Sequence, residues 1–266
     1  MTNREIKRRI VSVQETLKIT KAMYSISVAK MVSAKSALPA ATEYHDVCAR
    51  ILRSVSASFP QEAFFSKKGE RTGFLVISAD KGLCGDHNVQ IFECAKDAMD
   101  GVEERYLFTV GNVAHDLFAK AGYDVDMEYL RTSTSYSAAS RIAEDILFLY
   151  ENEMLDEIKV VYSDAGKGAV TVESLLPLDA GEDKVETEPF TMDTVRKCVK
   201  DHLTATLRYM LVSSSLAEHT ARARIMSQST DNAEEMMREL TAKYNRARQE
   251  SITRALQDGR ATDTNV

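Results

Sequence analysis

The sequence predicts an α/β fold in which two long terminal helices, paired as an antiparallel coiled coil, accompany a mainly parallel α/β domain. Glycine and proline are absent from residues 1–38 and 190–258, whereas ten of the eleven glycines lie between residues 69 and 181. Because these residues interrupt helices, each end of the chain can form one long helix. In the centre, short apolar runs alternate with helical patterns, which is typical of a sheet covered by helices.

Both terminal segments repeat apolar or small residues at alternating intervals of four and three, the spacing of a left-handed coiled-coil seam. We expect the first helix over residues 1–58, with a kink near Pro39 because proline lacks the N–H that a helix needs. We expect the second helix over residues 190–258 and a polar tail over residues 259–266. The seam positions are Ile6, Ile10, Val13, Leu17, Thr20, Tyr24, Ser27, Met31, Ala34 and Leu38, then Met226, Thr230, Ala233, Met237, Leu240, Tyr244, Ala247 and Ser251.

The central segment, residues 72–180, is predicted to be a Rossmann-like domain. Its strands and helices alternate, which favours a parallel sheet with helices on its faces. The last two strands are separated only by "SDAGKGA", a segment short enough for an antiparallel hairpin. The predicted strands are 74–77, 106–110, 125–129, 158–162 and 170–175, and the predicted helices are 87–100, 112–121 and 136–153.

Composition and charge exclude several classes of protein. No window is apolar enough to span a membrane, and the N-terminus lacks the features of a secretory signal or a clear transit peptide. Four cysteines show neither metal-binding nor disulfide spacing, so we expect reduced thiols, no metal and no cofactor. Residues 1–35 carry eight Lys/Arg against two Asp/Glu, whereas residues 72–190 carry nine against twenty-four. The acidic centre argues against nucleic acid and indicates separate protein partners for separate regions.

The segment "ADKGLCGD" directly follows the first predicted strand, where α/β proteins bind phosphate at a helix N-terminus. Gly82 and Gly85 leave the dinucleotide fingerprint one glycine short, and the carboxylate of Asp86 would repel a phosphate. Cys84 lacks a histidine with an acidic orienting residue at a recognisable spacing, so we do not expect a nucleophile. We predict a structural turn at Gly82, Cys84 and Gly85. A small-ligand-binding enzyme that uses Asp80–Asp86 is the alternative.

Three separate blocks of the sequence resemble one family. The N-terminal "TNREIKRRIVSVQETLKITKAMYSISVAKM" is similar to the first helix of the gamma subunit of rotary F-type ATP synthases. "LVISADKGLCGDHN" and "SLLPL" resemble a strand with its turn and the closing strand of that family. "SSSLAEHTARARIMSQSTDNAEEMMRELTAKYNRARQESIT" resembles its C-terminal helix. The resemblance extends over nearly the whole chain.

The resemblance implies a non-catalytic rotor, the central stalk of an F-type ATP synthase. Such a subunit couples ion-driven rotation of a c ring to ATP synthesis or hydrolysis in a ring of three alpha and three beta subunits, with an epsilon subunit at its foot. It is a peripheral protein, here expected at the cytoplasmic face of a bacterial plasma membrane. By resemblance, Glu188 contacts the c ring, and the residues that contact the alpha/beta ring and couple to it are Met23, Arg222, Arg248, Gln249 and Thr253.

The sequence departs from the family pattern at its C-terminal end. After "SIT" the family continues with a glutamate and a small apolar tail, whereas this chain has Ala255 and ends with polar residues. A coupling contact at position 255 is therefore not expected. Asp86 and His87 also replace smaller residues after the glycine turn. Besides the enzyme alternative, a coiled-coil scaffold unrelated to ATP synthases would require a more strongly apolar seam and a stable self-associated oligomer.

Overall fold

The computed structural model describes residues 2–56, 59, 63–66, 69–130, 133–179 and 191–263, with side chains up to residue 254. It confirms the predicted fold class: two long terminal helices accompany an α/β sheet. Clustering of contacts gives two compact units, one built from residues up to 28 and from 222 onward, the other from residues 29–221. The helices are α1 (Asn3–Ser56), α2 (His87–Met99), α3 (Asn112–Lys120), α4 (Tyr136–Glu151) and α5 (Met192–Asp263); the strands are β1 (Thr72–Ile77), β2 (Arg105–Val110), β3 (Met127–Tyr129), β4 (Glu157–Asp164) and β5 (Ala169–Leu176).

The five described strands form one sheet in the order β3-β2-β1-β4-β5. β1 lies parallel to both β2 and β4, and β2 lies parallel to β3. The predicted hairpin is confirmed, because β5 runs antiparallel to β4. The chain order reverses at β1, so the carboxyl end of this strand is the position where an open α/β sheet binds a ligand.

Each face of the sheet is covered by its own apolar cluster. On one face, Phe74 and Val76 of β1 pack with Ile91 of α2 and Phe118 of α3. On the other face, the sheet packs against α4 and against parts of α1 and α5 that belong to the same unit. Successive side chains of a strand point to opposite faces, which explains why β1 is buried at all six positions. The residues that α1 and α5 contribute to the second cluster are Leu52, Val55, Val195, Val199, Leu203, Leu207, Met210 and Leu211.

In the other unit, α1 and α5 pair antiparallel. Asn3 Nδ2 donates to the carbonyl oxygen of Ala247 at 3.4 Å, and Thr230 Oγ1 donates to Thr20 Oγ1 at 3.0 Å. Lys21 Nζ lies 2.7 Å from Glu234 Oε1 beside the threonine pair. The apolar layers follow the predicted seam: Ile6, Val13, Ala233 and Leu240 are buried, with Ile10, Leu17, Met237, Tyr244 and Ala247 packed against them.

α1 is one helix from Asn3 to Ser56 with Pro39 inside it, since a single missing N–H removes one hydrogen bond from a helix that packing supports on both sides of it. Two details differ from the prediction. α5 continues past Gly259 to Asp263, five residues beyond the helix end expected at residue 258. Tyr24 was expected in the seam but is 42% exposed, while Ser27 is buried. The smaller serine permits close approach of the helices.

His202 of α5 gives the residue 29–221 unit a pH-dependent stability. Its ring centroid lies 5.6 Å from that of His45, which stacks at 5.7 Å on Tyr209. Burial, together with the charges of His45 and Arg53, lowers the pKa of His202 from 6.5 to about 4. The unfolded chain therefore binds a proton that the folded chain does not bind between these values.

We expect the free energy of unfolding to fall by at most about 3 kcal/mol through His202 as the pH is lowered from 7 to 4. Carboxylates titrate in the same range, so the measurement is the difference between the wild type and His202→Gln in urea unfolding at pH 7 and pH 4.5. The variant should lose less stability on acidification than the wild type. Equal losses in the two proteins would contradict a buried neutral His202.

Candidate functional site

The turn after β1 is the first candidate site, because it lies where the strand order of the sheet reverses. Protein groups occupy the hydrogen-bonding positions there. Ser78 Oγ donates to the carbonyl oxygen of Val110 at 3.1 Å and accepts from the amide of Ala114 at 2.9 Å. The amide of Val113 donates to the carbonyl oxygen of Ala79 at 3.1 Å. Amides at the start of α3 that could hold an anion are thus bound to β1 and its turn.

Asn88 closes the other side of the turn. Its Oδ1 accepts from the amide of Ala79 at 3.1 Å, and its Nδ2 lies 3.0 Å from Cys84 Sγ. Cys84 is 2% exposed, and all four cysteines are free. The buried side chains of Cys84 and Asn88 therefore hold the turn against the first residues of α2. This arrangement supports a structural role for the turn formed by Gly82, Cys84 and Gly85.

The start of α2 carries its own negative charge. Asp86 is the N-cap residue of the helix, and its Oδ2 accepts from Gln90 Nε2 at 2.8 Å. A carboxylate at this end interacts favourably with the helix dipole and disfavours a second anion there. Gly111 brings the next loop against the turn, since its φ is 90° and a Cβ on it would lie 2.5 Å from the carbonyl oxygen of Ser78. The geometry does not favour the nucleotide-enzyme alternative.

The predicted coupling residues near the C-terminal end of α5 lie on its surface. Arg248, Gln249 and Thr253 are all exposed, and Thr253 Oγ1 donates to the carbonyl oxygen of Gln249 at 3.0 Å. The same part of the helix turns Tyr244 and Ala247 toward the seam. A shallow groove of about 350 Å³ runs along this surface between Arg246, Gln249, Glu250, Thr253 and Arg254.

Met23 and Arg222, which were also predicted to contact the ring, are less exposed than Arg248, Gln249 and Thr253. Met23 of α1 is half-buried. Arg222 is only 6% exposed, which argues against direct contact of its guanidinium with another subunit. Glu188 lies outside the described residues. The structure therefore brings Gln249 and Thr253 together on one surface and does not place Arg222 on it.

Sequence reasoning missed Ser78, Asn88 and Gly111, which together close the turn. Each acts through a partner distant in the chain or on another element, as in the 32-residue separation between Ser78 and Val110. The one local signal was Asn88 itself, a polar residue where the first turn of α2 becomes buried.

These observations define a class of protein. The position at which such a sheet would bind a ligand is filled by the chain itself, and the paired helices carry an exposed polar surface over an apolar seam. Within the described residues, no helix is both long enough and apolar enough to cross a bilayer. The described fold therefore combines a long paired-helix unit with an α/β sheet whose turn after β1 is closed by the chain's own groups.

Comparison with known proteins agrees with this class. A family model described as ATP synthase matches residues 2–258. The ATP synthase gamma chain of Halothermothrix orenii is 32% identical over 275 residues, which cover 96% of each chain. That of Caldanaerobacter subterraneus subsp. tengcongensis is 33% identical over 288 residues, which cover 96% of this chain and 97% of the relative.

Solved structures show the same fold at lower identity. A chain from the Euglena gracilis mitochondrial ATP synthase, in the OSCP/F1/c-ring structure of rotational state 3, gives a TM-score of 0.74 at 16% identity, covering 98% of this chain and 93% of that one. A chain from the central stalk/c-ring structure of the Tetrahymena thermophila enzyme gives 0.64 at 20% identity, covering 79% and 98%. The chain belongs to the family of ATP synthase gamma chains, which are non-catalytic central-stalk subunits.

Proposed function

We propose that this chain is the rotor that couples a c ring to a catalytic ring of three alpha and three beta subunits, with an epsilon subunit and the c ring at its foot. Rotation driven by ion flow then changes the conformation of the beta subunits that face the shaft. The observation that carries the proposal is the paired-helix unit, whose buried seam joins α1 to α5 while Arg248, Gln249 and Thr253 face outward. The family and the gamma-chain relatives support the same role.

The surface of α5 between residues 241 and 254 suits a shaft that must turn inside a sleeve. Between residues 241 and 254, Ile252 is the single large apolar side chain that is exposed. A mostly polar surface forms contacts that can be exchanged at low cost, since one hydrogen bond contributes about 1 kcal/mol net. On α1, by contrast, Tyr24 and Ile26 of the uncharged stretch 22–29 are exposed, and these are apolar positions at which the surrounding ring would contact the shaft.

The remaining parts of the proposal concern the foot and the location of the complex. We place Glu188 against the c ring and the chain at the cytoplasmic face of a bacterial plasma membrane, as a peripheral subunit. The family resemblance supports both assignments. Family resemblance alone supports assigning Met23 and Arg222 to the coupling neighbourhood; Met23 is half-buried and Arg222 is 6% exposed.

The test uses the complete ATP synthase with Arg248→Ala and Gln249→Ala combined in this chain. Loss of two polar contacts, each contributing about 1 kcal/mol, should lower ATP hydrolysis and ATP-driven ion pumping roughly 10-fold or more. Both side chains are exposed, so the fold and the amount of assembled complex should not change.

The matched control is the pair Lys96→Ala and Gln90→Ala, which removes the same charge from exposed positions of α2. This control should retain activity within a factor of two. Unchanged activity in the Arg248 and Gln249 variant would contradict the coupling surface. A chain that fails to co-purify with the alpha and beta subunits would contradict the rotor itself.

A further inference from the structure

The residue 29–221 unit has a second surface, at the amino ends of β1, β2 and β3. Two adjacent concavities of about 470 and 510 Å³ lie there, and both are lined by Tyr106 and Asp126. We call this region the amino-end surface and define it by Arg71, Tyr106, Phe108, Asp126, Leu149 and Met154. It lies at the opposite edge of the sheet from the closed turn after β1.

The larger side chains of this surface are apolar and partly open to solvent. Tyr106 is 36% exposed and lines both concavities, and Met154, which lines the first, is 49% exposed. Phe108 and Leu155 are buried beneath them. Apolar side chains grouped in a concave surface are typical of protein contacts, in which one anchoring side chain fills a pocket.

Acidic segments of the chain surround these apolar side chains. The segments 100–105, 121–126 and 151–156 precede β2, β3 and β4, and parallel strands bring them to one edge of the sheet. Together they hold eight Asp/Glu and one basic residue, Arg105. At the opposite edge, the turn 78–86 holds two acidic residues and one lysine. The three segments therefore carry a formal net charge of −7, against −1 for the turn 78–86, and two of their carboxylates are paired, Asp156 with Arg71 and Glu151 with Arg196.

Arg71 also lines the surface, and its guanidinium is paired with a carboxylate of the same chain. Its Nε donates to Asp156 Oδ2 at 2.8 Å and its Nη2 donates to Asp156 Oδ1 at 3.1 Å. It neutralises that carboxylate instead of attracting an anion. Glu104 and Asp124, on two different loops, remain exposed to solvent.

We propose that the amino-end surface docks a basic segment of another protein, which inserts one apolar side chain beside Tyr106. Lysine and arginine in that segment face Glu104 and Asp124, and the complementary charges orient and accelerate docking. A membrane surface fits less well, because anionic headgroups would be repelled by the same carboxylates. This docking uses residues of the 29–221 unit only and does not depend on the coupling residues of α5.

The test uses the full-length chain and a fluorescent peptide of alternating lysine and leucine with one central phenylalanine. Glu104→Lys combined with Asp124→Lys should weaken binding at least 10-fold. The control, Asp97→Lys combined with Asp116→Lys, makes the same charge change at exposed positions of α2 and α3 and should alter binding less than twofold. Replacing the central phenylalanine of the peptide with alanine should weaken binding about 10-fold.

The contact itself is mapped by placing photoreactive benzoylphenylalanine at position 106 and, as a control, at Tyr136, which is also exposed. Position 106 should cross-link the basic peptide, and position 136 should not. Equal weakening by both charge-reversal pairs, no dependence on the phenylalanine, or stronger binding to phosphatidylserine vesicles than to the peptide would overturn the proposal. Because the peptide assay needs no other ATP synthase subunit, its failure is distinct from failure of the rotor proposal.

Discussion

Replacing Gly111 with alanine is expected to lower the free energy of unfolding of the α/β unit by about 3 kcal/mol. Two effects combine at this residue. Its φ of 90° and ψ of 147° lie in a region that essentially only glycine adopts. A Cβ would also lie 2.5 Å from the carbonyl oxygen of Ser78 and 3.0 Å from that of Ala79, and backbone atoms cannot move aside as a flexible side chain can.

Gly101→Ala separates the two effects. Gly101 has a similar φ of 78°, but nothing lies within 4 Å of a Cβ placed on it. This control should cost about 1 kcal/mol, the conformational part alone. The measurement is urea unfolding of the full-length chain, followed by hydrogen exchange of the β1 amides. Equal costs at the two glycines would show that the loop after β2 can move away from the turn.

Asp156→Ala is expected to cost about 2–3 kcal/mol, the second of the large effects. Its carboxylate accepts from the amide of Arg71 at 3.1 Å as well as from the guanidinium, and its own amide donates to the carbonyl oxygen of Arg71 at 2.8 Å. These bonds join the residue before β1 to the residue before β4. The carboxylate is buried, so its bonds are not weakened by solvent as those of a surface pair are.

Glu173→Ala is the matched control for Asp156→Ala. Glu173 pairs with Lys167 at 2.9 Å, but both side chains are substantially exposed. Such a pair contributes at most about 1 kcal/mol, and less in high salt. Unfolding in urea at low and high salt should therefore distinguish the two variants. A salt-sensitive loss below 1 kcal/mol for Asp156→Ala would contradict its structural role.

The sequence predicted the architecture because its signals were local and repeated. Apolar runs at Phe74–Ile77 and Ile158–Tyr162, separated by helical patterns, are enough to indicate parallel strands. Helix ends were predicted less well. Gly259 costs a helix only about 1 kcal/mol, so α5 continues through it to Asp263.

The candidate sites were less predictable because they depend on partners distant in the chain. Nothing near Ser78 indicates that its hydroxyl meets Val110 and Ala114, although the missing third glycine and Asp86 already disfavoured a phosphate. The surface positions of Arg248 and Gln249 followed from the seam spacing, whereas their coupling role came from family resemblance alone. Neither the seam spacing nor the family resemblance indicated that Arg222 is buried.

The threonine pair between α1 and α5 has a consequence for the register of the two helices. Thr20 and Thr230 meet inside a seam whose neighbouring layers are apolar, and Lys21 reaches Glu234 beside them. If one helix slid along the other by a turn, both hydroxyls would lose this partner and the ion pair would separate. A seam built on small apolar residues alone would lack these contacts, whereas this polar layer favours one register of the two helices, by about 1 kcal/mol for the hydrogen bond and at most about 1 kcal/mol for the exposed ion pair.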